Sequence, residues 1–305
     1  MSDGANVRVE RIPFTIYDVI AYLGPGIVSA WAIFDVVPSL FNAPNDSVAR
    51  FVHDRSAIFG VAAIDIAVAI VVAGVFAYTL GVLIGFIASV TIEKLSIVYF
   101  GYPSEFVRTR YKFAGPIADR DITKKFLANG CASGAILVQL ICLPLTIFIW
   151  GANILALFSV VIKPLPETMI RIMEERFQFL SGYKIGYERR VDWFRFVCFY
   201  VINNNPVAFL RMYNYLTLYG FLRNMTFIFL VSTWVYSSAA IVFCGTERGC
   251  TFAISALASG IVCGGLFCGF LKFYRRYTEE AILAFALMRI DPDVDEAVHQ
   301  ARKAH

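Results

Sequence analysis

The stretch GAILVQLICLPLTIFIWGANILALFSVVI, residues 134–162, contains no Asp, Glu, Lys, Arg or His. About 20 apolar residues in a helix cross a bilayer, so this stretch is long enough to do so. It also carries turn signals, because Pro144 lacks a backbone N–H and Gly151 is followed closely by Asn153. The stretch therefore either crosses once or enters the membrane and returns, and this choice decides where the polar residues lie.

Composition places the chain among integral membrane proteins. Of its 305 residues, 58% are hydrophobic and 16% are charged, and the mean hydropathy is +0.66. Soluble domains carry about 25% charged residues. Four further apolar runs, at residues 16–38, 57–92, 225–244 and 251–271, are candidate spans. We expect an all-α integral membrane protein with about four transmembrane helices in addition to residues 134–162.

The distribution of Lys and Arg indicates how residues 134–162 enter the membrane. A single crossing would place 10 of the 27 basic residues on one side and 17 on the other. A return to the same side would place 24 on that side and 3 on the other. Because Lys and Arg are enriched on the cytoplasmic side, the return fits better. We predict a re-entrant or interfacial helical hairpin, with both termini cytoplasmic, in a bacterial inner membrane.

This topology divides the chain into segments of alternating location. The segments are a cytoplasmic N-terminus (1–15), two transmembrane helices with a short outer loop (16–92), a cytoplasmic helical segment (93–133), the apolar hairpin (134–162), a second cytoplasmic helical segment (163–224), a transmembrane hairpin (225–271) and cytoplasmic C-terminal helices (272–305).

Two local patterns predict long helices that extend into a cytoplasmic helical domain. Asn205 followed by Pro206 is typical of a helix start, with Asn as the N-cap and Pro in the first turn. Beyond the last span, apolar residues recur at helical spacing and predict a stalk: Phe273, Tyr277, Ala281, Phe285 and Met288.

Asp35 and Asp65 are ionisable residues within apolar runs. Charge at membrane depth is costly and is a functional candidate, here an ion or proton site. The alternative is a structural ion pair with basic residues of the outer loop near the interface. A channel or transporter would use these two carboxylates.

Along two of the spans, small residues recur every three or four positions. They include Gly81, Gly85, Gly260 and Gly264. This spacing permits close helix approach, either within the chain or in self-association. Cys244 and Cys250 flank the short outer turn. They form a disulfide if that side is oxidising, or are simply small residues at helix ends.

Aromatic and basic residues are interspersed just before the apolar run at residues 225–244. The candidates for headgroup anchors are Arg211, Tyr215, Tyr219 and Arg223. Such side chains favour the membrane interface, and a ligand pocket at this level is the alternative.

No sequence motif identifies a reaction, so we predict no enzyme activity. The chain has no Walker phosphate loop, no dinucleotide fingerprint and no nucleophile elbow. Its three His and seven Cys show no C-x-x-C pair, so we expect no metal and no cofactor. No basic face is evident, so we expect no nucleic-acid partner. The expected partners are the lipid bilayer and either a second copy or another membrane protein.

Short pieces of the chain also carry a resemblance. They are Tyr17-Asp18 with Tyr22, Pro25-Gly26, Tyr78 with Gly81, Gly101-Tyr102-Pro103-Ser104, and Leu218-Tyr219 with Phe221, Arg223 and Asn224. These pieces resemble a loose group of uncharacterised bacterial multi-spanning inner-membrane proteins. The resemblance implies a few spans around a cytoplasmic middle region and a role in phage defence or stress, and it supplies no catalytic residues.

Together these observations favour a membrane sensor, effector or scaffold that acts on membrane permeability. The alternatives are the channel or transporter described above and a structural subunit of a larger membrane complex.

Overall fold

The computed structural model of the chain describes residues 19–33, 62–108, 138–154, 165–185 and 192–288. About 91% of these residues are helical and none of them lies in a strand, which confirms an all-α chain over these ranges. The helices are α1 (Val19–Trp31), α2 (Ala62–Ala88), α3 (Lys94–Phe100), α4 (Pro103–Arg108), α5 (Leu143–Ile154), α6 (Glu167–Ser181), α7 (Trp193–Asn204), α8 (Pro206–Val242) and α9 (Glu247–Leu287).

Within these ranges, three helical stretches are long and apolar enough to cross a membrane. They are Ile70–Ile97, which runs from α2 into α3, and the whole of α8 and α9. Helix α1 and residues Leu143–Ala152 of α5 are apolar but shorter. The sequence-based prediction of a helical chain with bilayer-length segments is therefore supported by length and composition, and the number of spans stays a prediction.

Helices α8 and α9 form a long antiparallel pair. The turn between them contains Gly245 with φ of +85°, a conformation that glycine adopts without a side-chain clash. Thr246 then caps α9, since its hydroxyl accepts a hydrogen bond from the Gly249 amide at 3.2 Å. Contacts join the pair from the Thr233–Ser259 hydroxyls (3.2 Å) near the turn to the Arg211–Glu280 ion pair (3.4 Å) far from it.

The start of α8 is the one predicted from the sequence. The side-chain oxygen of Asn205 accepts a hydrogen bond from the Ala208 amide at 3.0 Å, and Pro206 is the first helical residue. The N-cap prediction is confirmed.

Buried apolar side chains form two clusters along the α8–α9 pair. The central cluster lies nearer the turn and joins α3, α5, α8 and α9; its members include Leu95, Leu145, Ile149, Leu230, Phe267 and Phe270. The distal cluster joins α6, α7 and the far ends of α8 and α9; its members include Met173, Phe177, Val197, Met212, Ala281, Ile282 and Phe285. The predicted stalk stripe divides between the two clusters. Ala281 and Phe285 are fully buried in the distal cluster, with Tyr277 and Met288 packed against it, whereas Phe273 packs against the central cluster.

Residues 138–154 are the described part of the apolar stretch 134–162, and they include helix α5. It packs on α9, where the ring of Phe148 lies against Gly264. The indole of Trp234 in α8 donates a hydrogen bond to the Ile141 carbonyl at 2.8 Å, just before α5 begins. Residues 134–137 and 155–162 lie outside the described ranges, so the re-entrant hairpin stays a prediction.

Candidate functional site

Helices α1 and α2 approach so closely that their backbones touch. A Cβ atom at Gly81 would overlap the carbonyl oxygen of Tyr22, and one at Gly26 would overlap the carbonyl of Ala77. Glycine is therefore required at both positions, because any side chain would push α1 away from α2. The aromatic ring of Tyr22 lies over Gly85 and meets the ring of Tyr78 edge-on, with centroids 6.2 Å apart.

Helix α8 reaches this contact through a buried amide. Pro25 has no N–H, so it cannot donate the α-helical hydrogen bond to the carbonyl four residues earlier, that of Ala21. The Asn224 side chain donates to this carbonyl instead, at 2.9 Å, and Asn224 is completely buried. The first turn of α1, Val19–Leu23, is π-helical around this carbonyl. Asn224 thus supplies from α8 a bond that Pro25 removes from α1.

The preceding residue of α8, Arg223, makes the main electrostatic contact. Arg223 Nη1 lies 2.7 Å from a carboxylate oxygen of Glu93, and Nη2 donates to the Gly85 carbonyl at 3.3 Å. The two side chains are 12% and 26% exposed, so the pair is largely removed from water. Glu93 closes a second π-helical turn, Ser89–Glu93, between α2 and α3. We call Tyr22, Glu93, Arg223 and Asn224, with the glycines beneath Tyr22, the polar junction.

Aromatic rings of the central cluster pack directly against the polar junction. The guanidinium carbon of Arg223 lies 5.4 Å from the centre of the Tyr219 ring. Tyr219 in turn stacks on Phe270, with centroids 5.2 Å apart, and contacts Tyr274 at 4.7 Å. These contacts fix the position of the Arg223 side chain, because its planar group packs against a ring that is itself buried.

Chemically, the polar junction holds α1, α2 and α8 together. It combines an ion pair and two side-chain bonds to backbone carbonyls with two π-helical turns, which occur often at functional sites. Among the described residues, no group of three His, Cys, Asp or Glu side chains is placed to hold a metal.

No family model, curated protein or solved structure matches this chain. Its function is therefore inferred from its own residues.

The predicted intramembrane carboxylates remain untested. Asp35 lies outside the described residues, and Asp65 lies in the first turns of α2, where the side chains are also outside the described part. The ion-site interpretation of both stays a prediction.

The two cysteines at the turn between α8 and α9, Cys244 and Cys250, are exposed free thiols. Cys244 follows α8, and Cys250 lies in the first turn of α9. Their oxidation to a disulfide stays a prediction.

The predicted interface anchors fall into two groups. Arg211 is exposed and pairs with Glu280, and the ring of Tyr215 lies 6.3 Å from that of Phe273. Tyr219 and Arg223, by contrast, have the intramolecular partners described above. Anchoring in headgroups stays a prediction for all four.

The glycines singled out from the sequence have neighbours within the chain. Gly81 and Gly85 lie under Tyr22, and Gly264 lies under Phe148. An added Cβ at Gly260 would be 3.8 Å from Thr233, an ordinary contact distance.

Sequence reasoning did not identify Glu93 or the pairing of Asn224 with Ala21, because both depend on helices far apart in the chain. Some of their neighbours, however, were among the residues quoted from the sequence. The pieces quoted for the resemblance include Tyr22, Pro25, Tyr78, Gly81 and Asn224. The structure brings Tyr22, Tyr78, Gly81 and Asn224, which span some 200 positions, into one group of contacts.

Proposed function

We propose that this chain is a membrane sensor or effector in which α8 and α9 transmit changes from a cytoplasmic helical domain to the bilayer. The observation that supports it is the unbroken length of the pair, 37 and 41 residues. These lengths correspond to about 55 and 60 Å, whereas the hydrocarbon core of a bilayer is about 30 Å thick. A crossing α8 would therefore extend about 25 Å, and a crossing α9 about 30 Å, beyond the hydrocarbon core, into the distal cluster.

Exposed apolar side chains support a bilayer as the surrounding solvent. Ile70, Val71 and Phe86 on α2 are each about two-thirds exposed, as are Ile254 and Leu257 on α9. Apolar patches of this extent are rare on soluble monomers. Lipid tails, or a second copy within the membrane, would cover them.

The charge distribution supports the orientation. With the distal cluster and both termini in the cytoplasm, 24 of the 27 basic residues lie on that side. The proposed location is a bacterial inner membrane. The output would be a change in membrane permeability, in phage defence or stress, caused when α8 and α9 shift against α1 and α2 at the polar junction.

The test displaces the cytoplasmic domain and measures the membrane. Ala281 is fully buried against the distal cluster, so Ala281→Trp overpacks it. Leu287→Trp, at a position on the same helix that is 65% exposed, is the matched control. We expect Ala281→Trp to increase depolarisation and dye uptake in expressing cells, and Leu287→Trp to leave both unchanged.

A second variant keeps the test possible if Ala281→Trp prevents folding. Ile282→Ala loosens the same cluster by removing volume, and it replaces Ala281→Trp if that protein does not accumulate in membranes. Unchanged permeability in a correctly inserted distal-cluster variant would reject the effector proposal. Native purification with a stoichiometric foreign protein would favour the structural-subunit alternative.

A further inference from the structure

Arg176 is a buried arginine in the distal cluster. It lies on α6 and is 7% exposed. Its guanidinium carbon lies over the ring of Tyr200, at 5.8 Å, and over the ring of Phe285, at 5.3 Å. Its Nη1 donates to the carbonyl of Met288, the residue that ends α9. The cation thus lies at the C-terminal end of α9.

One edge of this guanidinium has no partner. Its Nε and Nη2 atoms are buried without a hydrogen bond, and among the described residues no carboxylate forms an ion pair with Arg176. In the planar guanidinium group, the Nε and Nη2 hydrogens point to the same side. That edge is one of the forks by which arginine binds a carboxylate or phosphate through two parallel hydrogen bonds.

The electrostatic compensation that Arg176 receives is incomplete. The carbonyl end of α9 contributes roughly half a negative charge, and the two rings contribute a weaker attraction. A buried full charge without a counter-ion is strongly destabilising, whereas an apolar residue of the same size would have no such cost. An anion at the free edge would remove the imbalance.

We propose that the Nε–Nη2 edge of Arg176 binds a single oxyanion, a carboxylate or a phosphate group. In such a two-pronged contact the oxygens of the bound group lie in the plane of the guanidinium. Binding ties α6 to the end of α9. The site stands independently of any effect on permeability, since it follows from the chemistry of Arg176 alone.

The position of the site restricts the source of the anion. Phe285 is 14 residues beyond Leu271, where the apolar run ends, which corresponds to about 21 Å along the helix. A lipid headgroup is therefore too far away. Two sources remain: a soluble cytoplasmic anion, and a carboxylate of the chain itself. Asp291 follows Met288 by three residues, at most about 10 Å of extended chain, and Asp293 is next. Both lie outside the described residues.

The experiment uses the full-length protein in detergent and measures its thermal unfolding midpoint. Inorganic phosphate is the soluble probe, compared with chloride at equal ionic strength. Arg176→Lys keeps the charge but lacks the two-pronged edge, and Arg176→Met keeps most of the volume without the charge. Asp291→Asn with Asp293→Asn removes the nearest carboxylates. The effect of this double substitution on the unfolding midpoint is compared in the wild-type and Arg176→Lys backgrounds.

A phosphate-dependent rise in the midpoint that is lost in Arg176→Lys would show a soluble anion at the site. A drop caused by the Asp→Asn pair in wild type, but absent in the Arg176→Lys background, would show the tail as the source. The proposal is overturned if phosphate raises the midpoint of every variant equally. It is also overturned if neither phosphate nor the Asp→Asn pair changes the midpoint of the wild-type protein, whatever the stability of Arg176→Met.

Discussion

At the scale of single residues, the Arg223–Glu93 pair is where charge is removed from water between helices distant in sequence. Glu93→Gln keeps the shape of the side chain but leaves the Arg223 cation without its counter-ion. We expect a loss of about 1–3 kcal/mol in the free energy of unfolding, typical for a charged hydrogen bond that is mostly buried. The measurement is denaturant or thermal unfolding of the purified protein.

The control is the Arg171–Glu175 pair on α6, whose side chains are 76% and 70% exposed at a separation of 3.6 Å. Glu175→Gln should cost under about 0.5 kcal/mol, because water screens this pair. One contrary result would be that Glu93→Gln lowers the free energy of unfolding no more than Glu175→Gln does. Another would be that its effect and that of Arg223→Met simply add in a double-mutant cycle. Either result would show that the Arg223 and Glu93 side chains are not coupled.

Cys198 gives a prediction for alkaline pH. Burial among apolar side chains raises the pKa of its thiol from 9.0 to about 11, and the nearby Asp192 carboxylate adds to the rise, while a contact with the Tyr277 hydroxyl (3.6 Å) opposes it. Below pH 9 the thiol is protonated in both states and its contribution to stability is complete. Between pH 9 and 11 the unfolded chain loses the proton first, so stability falls as pH rises.

The loss from this single thiol is at most about 3 kcal/mol. Cys198→Ala should therefore show a shallower decline in stability from pH 9 to 11 than the wild type, measured as the difference between the two unfolding curves. Identical slopes would mean that the thiol titrates in the folded protein as it does in the unfolded chain.

At the scale of elements, the polar junction makes α1 depend on α8. Asn224→Leu removes the donor to the Ala21 carbonyl and should cost about 1–3 kcal/mol. Pro25→Ala restores a backbone N–H four residues from Ala21, so the same Asn224→Leu change should cost less in that background. Equal costs in the two backgrounds would show that the Ala21 carbonyl does not need this donor.

The exposed Asn204 is the matched control for this cycle. Its side chain donates to the Tyr200 carbonyl within α7, at 2.8 Å. Asn204→Leu should change stability by less than about 0.5 kcal/mol in either background, as expected for a surface position.

The contact of α1 with α2 depends on glycine at one face of α2 only. Gly81→Ala would place a methyl group against the Tyr22 backbone, whereas Gly74→Ala meets open space. Alanine favours helix over glycine by about 1 kcal/mol, so Gly74→Ala should be neutral or stabilising and Gly81→Ala destabilising. Thermal unfolding of the two variants tests this, and a stabilised Gly81→Ala protein would contradict the close approach.

At the scale of the whole molecule, the open question is on which side of the bilayer each end of residues 134–162 lies. Tyr102 precedes this stretch and Tyr183 follows it, and both are about half exposed. We expect Tyr102→Cys and Tyr183→Cys, in a Cys244→Ser, Cys250→Ser background, to react with an impermeant thiol reagent from the same, cytoplasmic side. Labelling from opposite sides would mean that the stretch crosses the membrane and that the split of 10 to 17 basic residues applies.

A Glu247→Cys variant provides the reference for the other side. Glu247 begins α9, next to the turn that joins it to α8, and is exposed. The thiol reagent should reach Glu247→Cys from the side of the membrane opposite to the one from which it reaches Tyr183→Cys. Labelling of both from one side would contradict the proposed orientation of the α8–α9 pair.

Much of the architecture along the chain was predictable because it depends on local patterns. Apolar runs of bilayer length predicted α2, α8 and α9, since backbone groups in lipid must be satisfied within a helix. The Asn205–Pro206 pair predicted the start of α8, because capping is a contact between neighbouring residues. The stripe on α9 predicted the face that meets the distal cluster, because helical periodicity is fixed by backbone geometry.

The sequence by itself thus determined the helical class, the long helices and the lopsided distribution of basic residues. Only the tertiary structure decided which polar groups compensate one another: Asn224 with the carbonyl that Pro25 leaves, Arg223 with Glu93, and Arg176 with the end of α9. The physical reason is the distance along the chain between the residues that interact. Burial and periodicity are properties of consecutive residues, whereas a buried polar group finds its partner across helices more than a hundred positions apart.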